Sequence, residues 1–251
     1  AFSGNRVCYG LSTEVDAGSS TVSTGFLVKY EWDFDDDGIF ETDAGSNIIS
    51  SYAFSSADTF DISLRVTSDK GCQDTASASV IVDPLPVPSF ISTEECNGSA
   101  TGFDAGSSSI PTGSLITYEW DFDNNGTYET NSGGNTTETY LFPDAGNYTV
   151  GLQVTSDKGC KQNTNNTVTV NPNPVASFTA NEVCFGMATD FNAGGSSIIT
   201  GSIVRYEWDF NNDGIFERII GPGKQVSMPT KPYKGCKIKL LEIIRIRNTR
   251  R

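Results

Sequence analysis

The chain has no histidine, two methionines and three tryptophans among its 251 residues. Without histidine there is no Ser-His-Asp or Cys-His couple, and most zinc sites are out of reach. No run of about 18 apolar residues occurs, so no segment has the make-up of a membrane-spanning helix. Positive charge is scarce along most of the chain. Residues 1–217 carry seven basic side chains against 30 acidic ones, a net charge of −23. Such a body repels nucleic acid and anionic membrane and attracts cations. Its carboxylates lie in repeated turns and not around one unique cleft, so catalysis is not expected of these residues.

Basic residues gather at the other end. Residues 218–251 hold ten of them against one acid, Glu242, a net charge of +9. Composition, charge and hydrophobic pattern all change at residue 218. This marks the segment either as a genuine divergent ending or as the product of a reading-frame shift.

What the sequence does contain is a repeat. Tyr30-Glu31-Trp32-Asp33-Phe34 recurs as Tyr118-Glu119-Trp120-Asp121-Phe122 and as Tyr206-Glu207-Trp208-Asp209-Phe210, so the three tryptophans stand 88 residues apart both times. A fixed period of this kind means tandem units and not one large domain. The boundaries read as 1–83, 84–171 and a partial copy at 172–217, followed by the 218–251 tail. The first copy begins late, since Phe2 aligns with Phe90 and Phe178, and the chain does not open with Met. It therefore reads as a mature piece or a fragment of a longer array, with neighbouring domains of that chain among its partners.

Within each unit the apolar residues alternate. Phe60, Ile62, Leu64 and Val66 interleave with Asp61, Ser63, Arg65 and Thr67, the signature of a half-buried strand. Ser12–Asp16, Leu27–Phe34, Ile48–Phe54 and Ala76–Val82 read as further strands, with turns between them at short spacing. The fold class is all-β, a row of β-sandwiches. The linkers Pro84-Leu85-Pro86-Val87-Pro88 and Asn171-Pro172-Asn173-Pro174 are stiff, and their prolines are expected to block edge pairing. A third-repeat counterpart to the Phe60–Thr67 strand is missing from its place, so the third sandwich is expected to be incomplete. Ile238, Leu240, Ile244 and Ile246 of the tail are the residues available to patch it.

The Tyr-x-Trp-Asp-Phe strand, the acidic glycine turn after it, the later Tyr52 and Tyr140, and Gly146-x-Tyr148-x-Val150-x-Leu152-x-Val154 together resemble the PKD (polycystic kidney disease) domain. The two cysteines per unit resemble its versions on bacterial surface proteins. The resemblance implies immunoglobulin-like sandwiches, extracellular or cell-surface placement, and a non-catalytic role as spacer or adhesive module for proteins or glycans. The alternative it carries is an accessory region of a secreted protease or polysaccharide-degrading enzyme. The turn departs from the family's usual Asp-Phe-Gly-Asp-Gly: here it is Asp33-Phe34-Asp35-Asp36-Asp37-Gly38, longer and more acidic.

That turn is the one candidate site. Asp33, Asp35 and Asp37 fall at positions 1, 3 and 5 of a calcium loop, with Gly38 at 6 and Glu41 at 9. Asp121, Asp123, Asn125 and Glu129 repeat the spacing, as do Asp209, Asn211, Asp213 and Glu217. Alternate oxygens let the backbone wrap a hard cation such as Ca2+. The twelfth-position Glu of an EF-hand is absent. The competing reading is a tight turn whose Asp and Asn side chains bond their own backbone. The tryptophans pose a similar choice between a sugar-stacking platform and the core anchor of a sandwich, and the strand position favours the core.

Cys8, Cys72, Cys96, Cys160 and Cys184 obey the period, while Cys236 does not. Two per repeat point to disulfides and an oxidising compartment. The simplest count pairs Cys8 with Cys72 and Cys96 with Cys160. If those positions lie at opposite ends of a sandwich, a bridge between neighbouring repeats such as Cys8–Cys160 becomes the alternative.

Overall fold

The structure is a computed structural model that describes residues 2–4, 6–184, 187–210, 212–216, 218–220 and 225–229. Among them there is no helix, and so none long and apolar enough to cross a membrane.

The first repeat holds β1 (Ser3–Gly4), β2 (Val7–Cys8), β3 (Thr13–Asp16), β4 (Leu27–Asp33), β5 (Thr42–Gly45), β6 (Ile49–Tyr52), β7 (Thr59–Ser68) and β8 (Gln73–Asp83). One sheet has the order β1-β3-β6 and the other β2-β8-β7-β4-β5. Two sheets packed face to face are the β-sandwich that the alternation predicts, in the immunoglobulin-like form that the resemblance implies. The expected strands are present within a few residues of their predicted ends. β2 and β5 are additions: β2 has only two residues, and Thr42–Gly45 carries no apolar alternation. β2 pairs with β8 in parallel, Val7 opposite Val82 and Cys8 opposite Asp83.

Trp32 sits fully buried at the centre. Phe2 meets its ring edge-on at 5.0 Å and Phe34 stacks beside it at 5.9 Å. Val15, Ile62, Leu64, Val80 and Val82 complete the packing from both sheets. Burying one such large side chain contributes about 2–3 kcal/mol, which makes the tryptophan a hub of the core.

The second repeat copies this plan with β9 (Ile91–Ser92), β10 (Glu95–Cys96), β11 (Thr101–Asp104), β12 (Leu115–Asp121), β13 (Thr130–Asn131), β14 (Thr137–Tyr140), β15 (Gly146–Ser156) and β16 (Lys161–Asn171). Its sheets run β14-β11-β9 and β10-β16-β15-β12-β13, and Trp120 is again fully buried. The linker does pair, against expectation. Val87, between two prolines, keeps its own N–H, which donates to the Ser109 carbonyl at 2.7 Å and receives a bond in return at 3.0 Å.

The third repeat shows β17 (Thr179–Ala180), β18 (Ala188–Asn192), β19 (Tyr206–Trp208), β20 (Arg218–Ile220) and β21 (Gln225–Pro229), in sheets β17-β18-β21 and β19-β20. Trp208 is buried against Phe178 and Phe191. Arg218–Ile220 and Gln225–Pro229 thus pair with strands of this repeat although they lie beyond residue 217. The place of the strand equivalent to Phe60–Thr67, and with it Ile238, Leu240, Ile244, Ile246 and Cys236, lies outside the described residues.

Candidate cation-binding turns and the disulfide between repeats

β4 ends at Asp33 because the chain turns sharply there. Asp36 takes a left-handed backbone (φ 55°) and Gly38 another (φ 89°), and the same two positions recur at Asn124 and Gly126, and at Asn212 and Gly214. Short polar residues and glycine are the ones that occupy this region at low cost. Asp33 is buried, with Oδ2 accepting the Gly38 N–H at 2.9 Å. Its Oδ1 is buried with no hydrogen-bond partner among the described residues. A carboxylate oxygen in that state carries a substantial desolvation cost unless something satisfies it.

Asp35, Asp37 and Glu41 are exposed, and each brings a carboxylate oxygen to a cluster with Asp33 in which all four lie within 4.8 Å of one another. Asp37 also caps its own turn, accepting the Ile39 N–H at 2.7 Å. Asp36, the acid not at a loop position, points elsewhere and accepts from Ser63 Oγ at 2.8 Å. The sequence-predicted set in the first repeat is therefore gathered at one point.

In the second repeat Asp121, Asp123 and Glu129 cluster in the same way. Here Asn125 fills the centre with its own donors. Its Nδ2 donates to Asp123 Oδ2 at 3.0 Å and to Glu129 Oε1 at 2.9 Å, and its backbone N–H donates to Asp121 and Asp123, both at 3.2 Å. Gly126 N–H reaches Asp121 Oδ2 at 2.9 Å. In the third repeat Asp209 is buried and accepts from the N–H groups of Asn212 and Gly214 at 2.6 and 2.9 Å, and Asp213 from Ile215 at 2.7 Å. Asn211 and Glu217 lie outside the described residues.

A second charged feature beside the first turn escaped the sequence reading. Glu31 and Arg65 are direct cross-strand neighbours. Arg65 clasps Glu31 bidentately at 3.0 and 2.9 Å, and Lys29 Nζ donates to the same carboxylate at 2.7 Å. These bonds, that from Arg65 first, hold the Glu31 carboxyl down to about 2. Arg65 lies 4.2 Å over the Phe40 ring, next to Glu41. The matching register pair in the second repeat is Glu119 and Gln153, and Lys161 bonds both, at 3.3 and 3.1 Å. The signal was present in the alternation of β4 and β7, but only the register shows which residues face each other.

The three tryptophans are at most 4% exposed. None offers a face for stacking a sugar.

The cysteines correct the simplest count. Cys8 bonds Cys160, with 5.5 Å between their Cα atoms, and Cys72 and Cys96 are free. The reason is the length of β8. Cys72 precedes its first residue and Cys8 pairs with its last, 11 residues on. At roughly 3.3 Å per residue that is about 35 Å, against the ~7 Å limit for a bridge. Cys160 lies in the turn between β15 and β16, and it meets Cys8 from the next repeat. Arg6 ion-pairs with Asp83 near the same junction (Nη2 to Oδ1, 2.6 Å), and the Asp157 carboxylate adds to the charge that keeps this guanidinium protonated.

The family model for the PKD domain matches residues 1–82 and again residues 83–170. No curated protein matches the chain. Among solved structures, the PKD1 domain of Vibrio anguillarum Epp is 31% identical, covering 35% of this chain and 95% of that one at a TM-score of 0.29. The PKD1 domain of the Vibrio cholerae metalloprotease PrtV is 30% identical, covering 34% and 96% at a TM-score of 0.29. With two consecutive matches that together span residues 1–170, the chain belongs to the PKD domain family.

Proposed function

We propose that this tandem PKD module is a non-catalytic extracellular spacer and adhesive region of a surface or secreted protein, contacting proteins or glycans at the cell surface. The observation that supports it best is the Cys8–Cys160 disulfide. A covalent tie between consecutive repeats limits bending at their joint, which is useful in a spacer, and disulfides of this kind persist in oxidising compartments. The test is to shave intact producing cells with protease and map the released peptides without reductant. Recovery of the linked Cys8–Cys160 peptides from the shaved fraction is expected. Protection of these repeats from protease, with all the cysteines as alkylatable thiols, would overturn the reading.

The acidic turns belong to the same proposal as weak Ca2+ sites. Four clustered carboxylates and the unpartnered Asp33 Oδ1 favour the first repeat. In the second repeat the Asn125 amide already bridges the acids, so a cation there must displace it. Affinities on the order of 0.1–1 mM are expected, as for extracellular modules. Binding to the folded form alone raises the melting temperature. The chain melted in EDTA and then in several millimolar calcium should show that rise, and the variant D35N/D37N should lose most of it. Identical melting in all four conditions would leave the turn as a turn.

A further inference from the structure

The bonded and the free cysteines are held by the same scaffolds. Cys160 closes a turn in which Ser156 N–H donates to its carbonyl at 2.9 Å and its own N–H donates to Ser156 Oγ at 3.1 Å. At Cys72 the corresponding distances, to Ser68, are 2.9 and 3.2 Å. Gly159 and Gly71 take the same left-handed φ, 81° and 78°. Asp157 N–H donates to the Ser114 carbonyl and Asp69 N–H to the Phe26 carbonyl, both at 2.9 Å. The two turns are one device built twice, 88 residues apart. In one copy the sulfur is bonded and the residue fully buried, and in the other the residue is exposed with a free thiol.

The other half of the bridge is repeated as well. Cys8 pairs in parallel with Asp83, and Cys96 in parallel with Asn171. Tyr9 N–H donates to the Asp83 carbonyl and Asn97 N–H to the Asn171 carbonyl, both at 2.8 Å. Each of the first two repeats therefore carries one cysteine at the end where β8 or β16 finishes and one at the end where it starts. The bonded pair joins the finishing end of one repeat to the starting end of the next.

We propose that Cys72 is a covalent docking site for a Cys8-type cysteine of a preceding, tandemly linked repeat of the same kind, so that consecutive repeats are stapled in series. The inference rests on the stapled-spacer reading above. Forming the bridge oxidises two thiols, and a small disulfide such as oxidised glutathione takes the electrons. The Cys8-type thiolate attacks it, releases one glutathione thiol and forms a mixed disulfide. The Cys72 thiolate then displaces the second glutathione. A short proline-stiffened linker keeps the two sulfurs at high effective concentration. By the same register the acceptor for Cys96 falls at position 248, which is Asn in this chain.

The test extends the full chain by a second copy of residues 1–88 placed before Ala1. This copy would carry Tyr9→Phe as a mass marker and Cys72→Ser to remove its own turn thiol. The separation between the added Cys8 and the original Cys72 then equals the 152 residues that separate Cys8 from Cys160. After refolding in a glutathione redox buffer and alkylation, a digest with trypsin and Asp-N, which cuts before Asp74 and so separates Cys72 from Cys96, should show the original Cys72 linked to the peptide that carries the Tyr9→Phe marker. Cys8–Cys160 reports the earlier reading independently in the same digest. Cys72 recovered as an alkylated thiol, or linked to the unmarked Cys8 of its own repeat, would overturn the proposal whatever Cys160 does.

Discussion

Replacing Glu31 with Gln probes how far a cross-strand ion cluster stabilises one sandwich. The carboxylate bonds Arg65 twice and Lys29 once, and these hold its pKa near 2 against 4.5 for a free side chain. Fully expressed, a depression of that size corresponds to ~3 kcal/mol. The Glu31 side chain is 8% exposed, but Arg65 and Lys29 are 30% and 39% exposed. Solvent screening through those partners reduces the expected loss to about 1–2 kcal/mol. Because the folded pKa is the lower one, this stability is present in full above about pH 4.5 and disappears as the pH falls through about 2. The assay is urea unfolding read by fluorescence, with Trp120 and Trp208 changed to Phe so that Trp32 alone reports on its own repeat. At pH 7 the Glu31→Gln variant should unfold at lower urea than its parent, and at pH 2 the two curves should nearly coincide. An equal penalty at both pH values would mean that the substitution disturbs packing and not charge. No penalty at pH 7 would mean that the cluster stabilises nothing.

Trp32→Ala should cost about 3–5 kcal/mol and melt the first repeat well before the second. Acrylamide should quench the wild-type tryptophans far less than free tryptophan, and equal quenching would contradict their burial. Gly126→Ala should cost roughly 1 kcal/mol, read as a lower melting temperature of the second repeat. A Cβ there meets nothing within 4 Å, so the cost comes from the left-handed φ of 88° alone. An unchanged melting temperature would show that the turn relaxes. Cys160→Ser should leave Cys8 alkylatable in the oxidised protein, and a new Cys8–Cys72 bridge in that variant would contradict the separation along β8.

The sequence alone determined the repeat, its 88-residue period and the sandwich class, because alternation and spacing are local properties that survive without three-dimensional information. It also placed Trp32, Trp120 and Trp208 in the core and grouped Asp33, Asp35, Asp37 and Glu41, since residues within one short turn cannot lie far apart. It missed β2, which is too short to carry a period, and β5, whose Thr-Asp-Ala-Gly has no apolar alternation; both are held by the hydrogen bonds of a neighbouring strand. The Glu31–Arg65 pair needed the register of β4 against β7, which depends on how two distant segments align. The disulfide needed the whole tertiary structure. Two cysteines of one repeat look like natural partners in the chain, yet the 11 residues of β8 hold them at opposite ends of the sandwich, and only the folding of both repeats brings Cys8 to Cys160.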